Sequence, residues 1–178
     1  MSLLTAYDKF IQVALKYGFS LFGLPKSGQT TVYQAGDDGT YKKGYPKTGA
    51  RFVDNGDGTV TDNATGLMWP KDKNGAGCFG GGTRWFAEAL LWAEGLSFAG
   101  YTDWRLPNVK ELQSLVNYGR VNPSVDIAFF TSLSLTYWSS TTHAGVTANA
   151  WHVHFHGGLV GNTVKTTGYY VRAVRGGA

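Results

Sequence analysis

Three histidines alternate with apolar residues in the run Trp151-His152-Val153-His154-Phe155-His156. In a strand, successive side chains point to opposite faces. A strand here would turn Trp151, Val153 and Phe155 toward a core and His152, His154 and His156 away from it. Two histidines at i and i+2 stand ~7 Å apart and, as neutral imidazoles, could share a metal ion. No Asp, Glu or Cys lies close in sequence to complete a shell, and His143 is the one other histidine. The row fits a ligand-contacting surface better, and neither a metal site nor a cofactor is expected.

Other routes to chemistry are thinly supported. Ser139 and Ser140 follow Trp138 without the Gly-x-Ser-x-Gly turn that exposes a nucleophile. Ser140, His154 and Asp103 could be assembled in space, but any chain of this size permits such a set. Gly80-Gly81-Gly82-Thr83 lacks the lysine of a phosphate loop. The Asp54-Asn55-Gly56-Asp57-Gly58 cluster puts glycines at calcium-ligand positions and fits a hairpin turn instead. Cys78 is the single cysteine, which excludes an intrachain disulfide and a cysteine-based zinc site. With no basic neighbour in sequence it reads as an incidental thiol. Arg105 is expected to pair with Asp103 or Glu111, and Arg172 and Arg175 to anchor the frame. No enzyme activity is expected.

These residues need a scaffold, and the composition supplies one. The chain has 178 residues, 43% hydrophobic and 15% aromatic, enough for one domain with a sizeable core. A formal net charge of +4 without a Lys/Arg run does not indicate a nucleic-acid partner. No apolar run approaches the ~18–20 residues of a membrane span, so no membrane insertion is expected, and no signal-peptide pattern is evident. Residues 3–22 carry Leu3, Leu4, Tyr7, Phe10, Ile11, Ala14 and Leu15 at helical spacing and predict an amphipathic helix. Residues 23–178 form the expected main domain. Within it, 23–49 reads as an ordered linker with one short strand at 30–34, and 51–54 and 59–62 as a hairpin. Thr83 is the expected cap of a first helix whose apolar stripe includes Trp85, Ala89, Leu90, Trp92 and Ala93. Asn108 caps a second, with Glu111 closing a capping box. Strands are expected at 135–140, 149–155 and 169–174, and residues 157–168 show no period. The fold class is α+β, two helices packed on twisted antiparallel sheets.

Several ordered motifs then stand out: Thr65-Gly66-Leu67-Met68-Trp69, Gly100-Tyr101-Thr102-Asp103-Trp104-Arg105-Leu106-Pro107, Tyr137-Trp138-Ser139-Ser140 and Val171-Arg172-Ala173-Val174-Arg175. Over 23–175 the chain resembles the C-type-lectin-like domain family also found at the C-terminus of collagen-like bacterial adhesins, related in fold to the formylglycine-generating enzymes. The enzyme branch uses a pair of cysteines, and this chain has only Cys78. The calcium site of lectins needs clustered acidic ligands, and Ala150-Trp151-His152 offers none.

Within the family, residues 137–175 resemble the variable region of a diversity-generating retroelement protein. There, adenine miscopying scatters asparagine codons into other residues, but never into Trp, Gln, Glu, Lys or Met. The resemblance implies a contact set of His143, Gly145, Val146, Ala148, Asn149, His152, His154, His156, Gly157, Leu159, Gly161, Asn162, Thr163, Val164, Gly168 and Tyr169. None of these belongs to the forbidden group, and Trp151 and Lys165 fall to the frame. The implied function is noncatalytic recognition of a protein or surface glycan through 142–169, displayed on a cell or virion surface. A fixed-specificity lectin for anionic polysaccharide is the alternative, and a histidine-dependent metalloenzyme a more distant one.

Overall fold

The computed structural model describes residues 23–45, 49–131 and 135–177. The helix expected over 3–22, and the domain boundary after it, lie outside those residues. The chain runs through α1 (Asp38–Tyr41), β1 (Phe52–Asp54), β2 (Thr59–Asp62), β3 (Leu67–Pro70), a 3-10 turn (Ala76–Gly81) and β4 (Thr83–Arg84). It continues through α2 (Phe86–Glu94), α3 (Val109–Ser114), β5 (Thr136–Thr142), β6 (Asn149–His154), β7 (Leu159–Val164), β8 (Tyr169–Tyr170) and β9 (Arg175–Gly176). The architecture is α+β, mostly β with few helices.

Two sheets form, in the orders β1-β2-β3-β9 and β4-β8-β5-β6-β7. Their pairings are antiparallel except β5 with β8, which is parallel. The β1–β2 hairpin forms as expected, with Gly56 at φ 78° and Gly58 at φ 89°, backbone angles that favour glycine. Its carboxylates serve the loop. Asp54 accepts from the Gly56 amide, Asp57 accepts from the Thr59 amide at 2.9 Å, and Lys71 pairs with Asp54.

Several expectations fail locally. Residues 30–34 form no strand: the Asp37 carboxylate accepts from the amides of Tyr33, Gln34 and Thr40, and folds the chain into α1 instead. Thr83 is not a cap but lies in β4, paired with Tyr170. The cap of α2 is Trp85, which offers no side-chain hydrogen bond and is 56% exposed, so it leaves the expected core stripe. Residues 157–168 contain a six-residue strand, β7. The Asn108–Glu111 capping box, by contrast, is present in full at α3.

The β5–β6 pair is covered on both faces. On one, Tyr137, Val153 and Phe155 join Leu112, Leu115 and Val116 from α3 and its end, together with Phe52, Val60, Leu67 and Trp69 of the first sheet. On the other, Trp138 and Ala150 join Phe86, Ala89 and Ala93 of α2. Each fully buried aliphatic or phenyl side chain contributes ~1.5–3 kcal/mol relative to exposure, so this pair is fixed from both sides.

Charged groups seam the ends together. Arg105 donates to both oxygens of Glu111, at 2.7 and 2.6 Å, which decides between its two expected partners. Asp103 instead pairs with Arg175, whose guanidinium lies 3.6 Å from the Tyr101 ring centroid. Arg172 is 2% exposed and donates to the carbonyls of Pro70, Lys71 and Thr131. A buried cation is tolerable only with its donors satisfied.

Candidate functional site

Register decides what each side chain near the histidines meets. In β5 and β6, Tyr137 pairs with Val153 and Trp138 with His152. In β6 and β7, His152 pairs with Gly161, Trp151 with Asn162 and Asn149 with Val164. By strand alternation, Ala150, His152, His154, Leu159, Gly161 and Thr163 share the α2 face. Asn149, Trp151, Val153, Asn162 and Val164 share the α3 face. The implied contact positions therefore lie on both faces of one hairpin, on its connecting turns and, for Gly168 and Tyr169, at the start of β8, not on one row. Gly145, Val146, Ala148, His156, Gly157, Leu159, Asn162, Val164 and Gly168 are exposed; His143, Asn149, His152, His154, Gly161, Thr163 and Tyr169 are half-buried.

Alternation of the opening run holds where a core exists to receive it. Val153 and Phe155 are 0% and 1% exposed. Trp151 shares their face but is only half-buried, because it lies past the end of the α3 cluster and its ring packs on His143 with centroids 5.1 Å apart.

The turns are locally specified. Across the β5–β6 loop, the His143 amide donates to the Asn149 carbonyl at 3.0 Å and the Val146 amide to His143 Nδ1 at 2.9 Å. Asn149 Nδ2 donates to Asn162 Oδ1 at 2.9 Å, tying two of the implied contact positions across the α3 face. At the β6–β7 turn Gly158 has φ 78°, and a Cβ there would meet Val116 Cγ1 at 2.4 Å. That position accepts only glycine.

His152 is half-buried between two aromatic rings. Its ring meets Tyr169 edge-on at 5.1 Å and Trp138 at 6.3 Å, while Tyr169 and Trp138 lie 4.8 Å apart. Burial, and secondarily the neighbouring His154, hold its pKa below the ordinary histidine value. Its Nδ1 is shielded from solvent and has no hydrogen-bond partner among the described residues. An unsatisfied buried polar atom costs about 1–3 kcal/mol, set here against aromatic contacts of about 0.5–1.5 kcal/mol each.

Ser139, Asp103 and Cys78 each have a place in the fold. The Ser139 hydroxyl is buried and donates to the Trp151 carbonyl at 2.7 Å. Asp103 is committed to Arg175, which lowers its pKa. Cys78 is 1% exposed, and burial pushes its thiol above the ordinary cysteine value, away from the reactive thiolate. Among the described residues, no three or more His, Cys, Asp or Glu side chains are grouped to hold a metal. Nor does any described helix have the length and apolarity to cross a membrane.

Sequence reasoning missed one surface group. Trp85 is exposed beside Phe86, whose amide bonds the Lys165 carbonyl at 3.0 Å, so a tryptophan borders the contact segment. Its helical spacing with Ala89 and Trp92 pointed to the core, and nothing in the pattern marked it as a cap. The exposed Ala144, Thr147 and Thr166 also lie within the segment, outside the implied set.

The fold and this hairpin define a mixed α+β domain presenting neutral polar and aromatic side chains from strands and turns. Residues 58–175 match the model of the Lcl C-terminal domain, and the chain belongs to that family, which is C-type-lectin-like. The membership supports a lectin-like, adhesin-type binding domain. No curated protein matches the sequence.

Proposed function

We propose that this chain is a noncatalytic display protein whose 142–169 segment recognises protein or surface-glycan targets, with side chains diversified by a retroelement. One observation carries the reading. Within one hairpin, Trp138 of β5 and Ala150 and Val153 of β6 are 0% exposed, while Val146 of the β5–β6 loop and Leu159 and Val164 of β7 are 49–69% exposed. Frame and contact residues are thus interleaved but separable, and exposed substitutions usually move stability by within ~0.5 kcal/mol. The segment also contains a single Lys, Arg, Asp or Glu, Lys165, whose ammonium lies 4.9 Å from the Phe86 ring centroid. None of the four ion pairs among the described residues involves it. Recognition would rest on aromatic and imidazole groups such as Tyr169, His152 and His154, the kind of anchors that dominate interfaces.

The test has a genetic and a biochemical arm. DNA beside the gene should hold a near-copy of the segment encoding 137–175, with adenines at the contact codons, and a reverse transcriptase gene. Their absence would leave a fixed-specificity lectin. Glycan and protein panels probed with the native chain, and with a chain exchanged at Val146, His156, Leu159, Asn162 and Val164, should give different binding profiles. Identical profiles would remove 142–169 from recognition.

A further inference from the structure

We infer that Gly161 is a specificity-determining residue, because the space left by its missing side chain holds the His152 imidazole folded over β7. Positions 152 and 161 then act as one unit, a proposal that rests on the reading of this hairpin as a contact surface.

The geometry is direct. Gly161 and His152 are register partners on adjacent antiparallel strands, so their Cβ positions would face one another. A Cβ at 161 would stand 2.8 Å from His152 Nε2 and 3.3 Å from Cε1. Neither is a backbone atom. Both belong to the far end of a rotatable side chain, so the imidazole yields before the strand does. The φ of Gly161 is not in the left-handed region, and the backbone itself therefore admits any residue there. The three atoms nearest to a Cβ at 161 all belong to the His152 ring.

What the ring does in this position sets the chemistry of the surface. Folded over Gly161, it packs against Tyr169 of β8 and Trp138 of β5, and its Nδ1 is hidden from solvent. His154 on its own strand and Tyr169 are the titratable groups against it; β5 and β7 present Trp138 and Gly161. In this state the α2 face offers an uncharged aromatic–imidazole cluster suited to stacking on an apolar or sugar-ring face. With a side chain at 161 the ring leaves that cluster, exposes both nitrogens and uncovers the edge of Tyr169. The same histidine would then serve as a solvated hydrogen-bonding and protonatable group. A change at 161 alters what 152 presents without altering 152.

The test follows the histidine itself. Imidazole 1H–13C NMR spectra of the native chain and of G161A, titrated from pH 8 to 5, should show His152 titrating closer to the ordinary histidine value in G161A, with its shielding by Tyr169 and Trp138 reduced. An unchanged His152 titration and chemical shift in folded G161A would overturn the proposal. Thermal unfolding of G161A, H152A and the double variant closes the case. A destabilisation by G161A that vanishes in the H152A background supports a ring-specific contact, and an equal loss in both backgrounds means the glycine serves the backbone. Neither readout uses a ligand, so a failure of the proposed recognition function would leave these results standing.

Discussion

The seam at residues 103–111 and 175 and the hairpin from β5 to β7 are two ways of fixing side chains in one domain. At the seam, each group is held by charge and by several partners at once. Glu111 accepts from both Arg105 nitrogens and from the Asn108 amide, and Arg105 reaches on to the Gly176 carbonyl. In the hairpin, the frame is held by burial, and the groups between are held by ring contacts and neutral hydrogen bonds, such as Tyr169 and Trp138 on His152 and Asn149 on Asn162. A network in which each member has several partners resists substitution anywhere within it. A surface without ion pairs can change in small groups of neighbours, such as 152 with 161, while the frame beneath it stays in place. The division fits the proposed role, in which the domain keeps its shape while its contacts differ.

The comparison breaks most readily at the frame. Trp138 is 0% exposed and packs on Phe86 and Tyr169. Trp138→Ala should cost about 3–5 kcal/mol in urea unfolding, and a loss under about 1 kcal/mol would mean the hairpin is not anchored through this ring. The seam comes next. Glu111→Ala removes the capping box and both bonds to Arg105. Because the Arg105 side chain is 39% exposed, solvent screens the pair, and a loss of about 1–2 kcal/mol is expected.

A smaller effect appears in the pH dependence. Burial holds the folded pKa of His152 below the ordinary value, so the unfolded chain takes up that proton more readily. The stability linked to this group is fully present above pH ~6.5 and is lost as pH falls through the lower folded value. Carboxylates lowered by their partners, such as Asp54 beside Lys71, contribute at more acidic pH. Between pH 7 and 5.5, native stability should therefore decline more steeply than that of H152A. Equal slopes would show that the imidazole is not held neutral by the fold.

Legibility in the sequence followed the same division. The Asn108–Glu111 box, the β1–β2 turn and the alternation of Val153 with Phe155 were readable, because each depends on residues a few positions apart or on a strong period. Arg105 could be narrowed to two carboxylates but not decided, since the choice depends on where Arg175 returns along the chain. β7 was hidden. Its small and polar residues, Gly161, Asn162 and Thr163, carry no alternation, and its strand character comes from pairing with β6. His152 was read as outward because period two assigns a face but not a cover. The cover comes from Tyr169 and Trp138, on two other strands. Trp85 went astray because helical spacing extends one residue past the point where the helix begins.

The smallest stability effect belongs to the exposed contact positions, and it bears most directly on the central claim that frame and contact residues are separable. Joint replacement of Val146, His156, Leu159, Asn162 and Val164 by serine, with urea unfolding and target binding measured on the same preparation, tests it. The expected result is a stability change averaging within ~0.5 kcal/mol per site together with a changed binding profile. A cooperative loss of several kcal/mol, or binding left untouched, would contradict it.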